Sequence, residues 1–373
     1  MKKSAWIIAV FLLLASGGVS DAADVNMQTG LNFNWWDSTG GDRGSQTYIP
    51  LTLYGEQSNF SAKILTAFAS TNSTTPGVSS DSLSCFTDTK ANFSYEIVDR
   101  FFADLIFGLD FNLPTGKTKL NLEQQRLVLD PDLAAISRYG EGFNVNPTIT
   151  LAKSWSKFAA GVGVGYLWRG AYDYSEAAMN YQPGDILNVT GEASYYFSPK
   201  WQGRLFGQVA HYGKDQVGGH DYYEEGVFFL GGTGINYFQT DWEARLAVQG
   251  IFRGKSQFQA AGEALTTEQC DSYGDEWLAD LSWKYNLSKV TTLRSKLSYL
   301  WMLENDYPSD SPYYIGSRQK TALSCAIARQ LTPMMKGEFG LGGYILDVGR
   351  NWYHTDDRTY TGLIASVMLI VAF

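Results

Sequence analysis

The chain has 373 residues, a formal charge of -9 at pH 7, 18% charged and 15% aromatic residues, and 38 glycines. Its acidic balance, with a sequence pI near 4.9, excludes a nucleic-acid partner, which needs a basic stripe. Charge falls below the roughly 25% usual in soluble domains, whereas a transmembrane β-barrel has a lipid face that excludes charge, boundaries that gather Trp and Tyr, and a crowded interior that favours Gly.

The first residues, Met1-Lys2-Lys3, an apolar run from Ala5 to Ala15 and Ser20-Asp21-Ala22, have the charge, length and small-residue pattern of a secretory signal. Cleavage after Ala22 gives two parts, a signal peptide over 1–22 and a barrel over 23–373. The apolar run is shorter than the ~18–20 residues that span a bilayer as a helix. No later run is long enough, and the mean hydropathy of -0.19 excludes a helical membrane protein.

From Ala23 onward about sixteen strand-like segments follow. In Val25 to Trp36, residues Val25, Met27, Leu31, Phe33 and Trp35 share one face, and asparagines occupy the other; such an inner face suits water better than a dry core. Thr47 to Tyr54 and Asn59 to Ala69 meet at Gly55-Glu56-Gln57-Ser58, and the polar run Ser70 to Asp81 reads as a loop. Alternation resumes over Cys85 to Ile97 and turns at Asp99-Arg100.

The stretch FFADLIFGLDFNLPTG that follows carries Phe101, Ala103, Leu105, Phe107, Leu109, Phe111 and Leu113 on odd positions. Asp104, Gly108, Asp110 and Asn112 fall on even ones, so one face suits lipid and the other carries carboxylates. The connection from Pro114 to Gly142 is about twice the usual upper length for a loop and is expected to be functional.

After it come Val145 to Trp155 and Phe158 to Trp168, the second with Gly161, Gly163 and Gly165 on one face. Glycine at every second position calls for a close approach, and the folded loop is expected to rest there. Leu187 to Phe197, Trp201 to Tyr212, Val227 to Phe238, Trp242 to Arg253, Trp277 to Leu287, Leu293 to Leu303, Arg318 to Leu331 and Phe339 to Leu346 pair through short turns, with longer polar runs between the pairs. Trp155, Trp201 and Trp242 flank the short turns, as a periplasmic aromatic girdle would. The last segment, TGLIASVMLIVAF, alternates up to Phe373. The expected fold is all-β: an up-and-down antiparallel barrel of sixteen strands, or fourteen if a late one is miscounted, with periplasmic termini and long extracellular loops.

That closing strand resembles the terminal strand of Gram-negative outer-membrane barrels, in which such an end is the signal for the barrel-assembly machinery. The whole plan, with its longest loop between the fifth and sixth strands, is similar to the general porins. Their loop folds inward and narrows the channel, but the acidic Pro-Glu-Phe-Gly-Gly-Asp motif of enterobacterial porins is missing from Lys117 to Glu141. Leu113-Pro114-Thr115-Gly116 and Gly165-Tyr166 resemble the phenol meta-pathway family of outer-membrane proteins, which implies passage of small organic molecules. The resemblance implies an outer-membrane location in contact with lipid and lipopolysaccharide, small solutes as partners, and a homo-oligomer as one possible assembly.

Parity turns Arg204, Arg245, Arg253, Lys284, Arg294, Lys296, Arg318 and Lys320 inward on the later strands, among Glu243, Asp280 and Glu304. The early strands turn in Asp88, Glu96, Asp104 and Asp110 with Lys63 and Lys90, and the loop adds Glu123, Asp130, Asp132 and Arg138. A basic wall that includes Arg245, Arg294, Lys296 and Arg318, facing the acidic loop, would set a transverse field across a water-filled pore. Arg294 and Lys296 begin an ascending strand, while Arg318 and Lys320 begin a descending one, which allows two levels as well as one ring. The competing expectation is that inward charges pair across strands in a plugged lumen.

No catalytic, cofactor or metal site is expected. Hydrolysis needs a base beside a nucleophile, and His211, His220 and His354 sit at a strand end or in loops. Cys85, Cys270 and Cys325 have neither disulfide-framework nor zinc spacing. The expected function is passive diffusion of small solutes. The alternatives are a sheath around a partner such as an electron-transfer cytochrome, which needs an open bore, and an outer-membrane hydrolase.

Overall fold

The computed structural model describes residues 24–78, 80–259, 264–351 and 354–373. The expected signal segment 1–22 and its junction with Ala23 lie outside them. Alternation of apolar and polar residues at the strand period generates one closed sheet. Its strands are β1 (Asp24–Ser38), β2 (Arg43–Gln57), β3 (Phe60–Thr74), β4 (Asp81–Phe86 continued by Thr89–Ile97), β5 (Asp104–Leu113), β6 (Asn144–Ser154), β7 (Phe158–Arg169) and β8 (Ile186–Ser198). The second half comprises β9 (Trp201–Tyr212), β10 (Phe228–Phe238), β11 (Trp242–Arg253), β12 (Glu276–Ser288), β13 (Thr291–Met302), β14 (Arg318–Thr332), β15 (Met335–Val348) and β16 (Arg358–Ala372).

Each strand pairs antiparallel with its chain neighbour, and β16 closes on β1 from Asn26↔Ala372 to Ser38↔Tyr360. Seventeen extended segments make sixteen strands, because the two pieces of β4 lie end to end along β3. Closure leaves no sheet edge with unpaired backbone groups, the condition for crossing a bilayer with strands. The first and last described residues, Asp24 and Phe373, lie at the end of the short turns, such as 199–200 and 289–290.

The outward face is apolar, and its tryptophans form two belts. Trp35, Trp168, Trp277 and Trp301 near the long-loop rim and Trp155 and Trp201 near the short turns are 41–54% exposed. Trp201, Tyr237 and Trp242 stack in series, with ring centroids 4.4 and 5.1 Å apart. Amphipathic rings at both boundaries mark the height of the membrane.

Three expected boundaries move. Gly55, Glu56 and Gln57 extend β2, so the turn is Ser58-Asn59, with Ser58 at φ 53; β3 runs on to Thr74, into the expected loop after Ala69; and Phe101 to Ala103 belong to the turn before β5. In the first two cases ladder hydrogen bonding to a long neighbour outweighs local polarity. A second sheet was not expected. It joins Tyr181–Gln182, Lys214–Val217, His220–Glu224, Gln257–Gln259 and Leu265–Thr267 from three long outer loops. Its central hairpin turns at Gly218-Gly219, both at positive φ (60 and 84), the two-residue turn that matches strand twist.

The outward register makes a direct prediction. Leu323 in mid β14 is 57% exposed on the lipid side, so Leu323→Arg should lower unfolding free energy in vesicles by about 2–4 kcal/mol. Gln249→Arg, on the lumenal side of β11, should cost much less; denaturant titration of the vesicle-inserted protein compares the two.

Candidate functional site: the lumen and its inward loop

The loop between β5 and β6 starts from a neck built on Asp88, at the break in β4. This carboxylate is 7% exposed. Its Oδ1 accepts from the Gly116 amide at 2.8 Å, and its Oδ2 accepts from Asn112 Nδ2 at 2.7 Å and the Glu141 amide at 2.6 Å. Its own amide donates to the Tyr139 carbonyl at 3.0 Å. Charge-assisted bonds to both ends of the loop hold them together. A Cβ on Gly116 would come within 1.9 Å of the Tyr139 oxygen, so the Pro-Thr-Gly sequence here has a steric reason for its glycine.

Beyond the neck the loop makes one helical turn, α1 (Leu122–Gln125), capped reciprocally by Asn121 and Gln124. It then crosses to the inner wall of β1 to β4 and β14 to β16. Leu120, Leu127 and Tyr139 pack with Ala69 and Leu83; Ala134 packs with Trp36, Tyr344, Leu346 and Tyr360. Gln46 brackets Ile136, donating to its carbonyl and accepting from its amide, both at 2.8 Å. Tyr139 donates to Thr71 Oγ1 at 2.7 Å, and Tyr344 to the Leu133 carbonyl at 3.1 Å.

The far bend is held by charge. Arg318 reaches Asp130 at 2.5 Å and Asp132 at 3.1 Å, and Lys320 Nζ lies 2.5 Å from the Asp132 carbonyl and 3.4 Å from its carboxylate. These side chains are only 19–28% exposed, so water screens them less than surface pairs.

Two expectations about this loop change. It does not rest on the glycines of β7: a Cβ on Gly163 would meet Thr150 and Thr190 of the flanking strands, and Gly161 and Gly163 line an unfilled 460 Å³ cavity. Large inward side chains, Trp36 and Tyr344 above all, offer more apolar area than a glycine face, so the loop docks on them. Nor do all the loop acids face one ring of cations. Asp130 and Asp132 meet Arg318 and Lys320 only, while Glu123 lies exposed in the first turn of α1 and makes no ion pair among the described residues.

The other cations of the later strands find partners on the wall. Arg245 and Lys284 flank Glu243 at 3.3 and 3.6 Å, Arg294 meets Glu338 at 2.8 Å, and Lys296 meets Asp280 at 3.1 Å. Arg204 pairs with Glu192 at 2.6 Å, Arg253 with Glu276 at 2.5 Å and Arg138 with Glu141 at 2.7 Å. Asp110 accepts from Asn92 and Asn146 at 2.8 and 3.0 Å, and Asp104 accepts from the Asp99 amide at 3.0 Å. Register places Arg318 opposite Met302 and Arg294 opposite Ala326, about 27 Å apart along the strand. The basic residues therefore form two levels: an outer pair that fastens the loop, and an inner group of Arg245, Lys284, Arg294 and Lys296 around a 540 Å³ cavity. Sequence reasoning passed over Gln46, Thr71, Trp36 and Tyr139 as loop anchors. The neck escapes sequence reasoning because Cys85 to Ile97 reads as one alternating run, whereas the strand breaks at Thr87-Asp88.

No protein-family model and no curated protein sequence matches the chain. Among solved structures it is similar to OccAB1 of Acinetobacter baumannii (10% identity, 96% of this chain and 98% of that one covered, TM-score 0.47). It is also similar to OpdQ of Pseudomonas aeruginosa (9%, 95% and 100%, 0.46) and to the Ralstonia pickettii toluene transporter TbuX (10%, 94% and 90%, 0.44). Likeness this loose says nothing of solute. The chain's own geometry is a closed sixteen-stranded antiparallel barrel with an outward apolar face and an inward loop.

The neck can be tested alone. Asp88→Ala strands three donors, two of them backbone amides, each costing roughly 1–3 kcal/mol when buried. It should leave the barrel folded but loosen the loop, seen as faster proteolysis within 117–138; Asp88→Asn should fall between it and the wild type.

Proposed function

We propose that the protein is an outer-membrane channel, exported with a cleaved signal, through which small solutes diffuse passively past the inward loop. The observation that carries this reading is the loop itself, clamped at Asp88 and fastened across the lumen at Arg318 and Lys320. A sheath for a cytochrome needs an unobstructed bore, and a loop held inside the barrel from Asp88 to Arg318 weighs against it.

The two levels of charge have separate roles in this reading. Lumenal pairs such as Arg245 with Glu243 are half-exposed and add little to stability, about 0–1 kcal/mol each. Their four cations against Glu243, Asp280 and Glu338 bias the inner basin toward anions. Arg318 and Lys320 instead set the loop's position and through it the bore.

In planar bilayers, neutralising Arg294 and Lys296 should move the reversal potential toward cations with little change in conductance. Deleting 117–138 should raise conductance severalfold, and Arg318→Met with Lys320→Met should raise it partway. Purified protein that forms no channels, or a deletion that leaves conductance unchanged, would overturn the reading.

A further inference from the structure

Above the loop, on the outer side, lies a cavity of about 760 Å³ that the channel reading does not use. Tyr172, Tyr174 and Tyr181 form one of its walls, packed edge to face, with centroids 5.7, 5.9 and 6.4 Å apart. Lys117, Arg138 and Arg169 also line it, and no carboxylate does among the described residues. Glu141 offsets Arg138, but neither Arg169 nor Lys117 has a carboxylate within ion-pair distance among those residues. The nearby acids turn elsewhere: Asp215 accepts from the Tyr181 hydroxyl and the Gly184 amide, and Asp185 from the Tyr166 hydroxyl and the Arg169 amide.

The wall is fixed before any ligand arrives. Tyr172 and Tyr181 exchange backbone hydrogen bonds at 2.9 Å in both directions, and Leu120 of the inward loop donates to the Tyr174 carbonyl at 3.3 Å while accepting from the Glu176 amide at 3.1 Å. Burial pushes the Tyr172 phenol up to about 12, so it remains a neutral donor at physiological pH. Ring edges and faces held in place favour a flat π-system. Arg169 donates to the Gly184 carbonyl at 3.4 Å, and cations that lack a carboxylate partner, as Arg169 and Lys117 do here, favour a carboxylate ligand. A quaternary ammonium, the other frequent guest of tyrosine clusters, would meet the like charges of Lys117 and Arg169.

We propose that this cavity is a binding site for planar aromatic carboxylates, placed to collect them ahead of the constriction. Binding rests on the cavity alone; a role in uptake rests also on the channel reading. The test uses the full mature chain, with benzoate as the probe, cyclohexanecarboxylate as its non-planar counterpart and trimethylphenylammonium as the opposite charge. In bilayers, benzoate should interrupt the chloride current saturably, cyclohexanecarboxylate at least about tenfold less potently, and the ammonium not at all. Arg169→Gln and Tyr174→Ala, each checked for heat-modifiable gel migration, should each raise the half-saturating benzoate concentration about tenfold.

Equal potency of the two acids, or no change in Arg169→Gln, overturns the site while the current itself upholds the channel. If no current forms, the channel reading falls, and calorimetric titration of the detergent-purified protein decides the site separately: saturable benzoate binding supports it, and none overturns it.

Discussion

A single buried carboxylate, Asp88, governs how the interior is filled. An uninterrupted β4 would run its ladder straight past the end of β5 and leave the loop with two unconnected roots. Breaking the strand at Thr87-Asp88 gives up ladder bonds and gains an acceptor aimed at three donors, from Asn112, Gly116 and Glu141. Thr89 reinforces the junction through its amide and hydroxyl, both 2.8 Å from Thr115 Oγ1. The Asn112 donor is buried and the two amides partly so, which makes the clamp costly to open, and everything the loop touches further on depends on its leaving the wall at this angle.

The lumen then separates the two uses of charge in one barrel. Where charges are partly desolvated and bidentate, as at Arg318 with Asp130 and Asp132, they fix geometry. Where they stand half in water, as at Arg294 or Lys296, they shape the potential and contribute little to holding the barrel together. Stability comes from the ladder, the closed edge and the outward apolar belt, so lumenal residues can vary with less effect on the fold.

The barrel was legible in the sequence because its signal is periodic. Lipid outside and water inside impose the same two-residue alternation on every strand, and the strand count, the pairing order and the place of the long loop follow from it. Inside the lumen that logic ends. Parity says that Arg318 and Arg294 both point inward, but height along a tilted strand decides which of them meets the loop acids, and parity carries no height. The glycines of β7 show a related limit: absence of a side chain implies room for the loop, whereas the loop follows buried apolar area at Trp36 and Tyr344. The outer sheet was hidden because its strands are two to five residues long; only Gly218-Gly219 announced it.

The anchors of the loop also bear on the order in which the molecule can be assembled. They lie on β1 to β4 and on β14 to β16, the first and last strands of the chain, so the docked loop straddles the seam where β16 meets β1. Trp36 from one side of that seam and Tyr360 from the other bury themselves in the same cluster. Docking can finish only once the two ends of the chain have met. Thereafter the loop is an internal brace across the one junction that no hairpin connects, and a barrel that fails to zip shut is also one whose bore stays uncrossed.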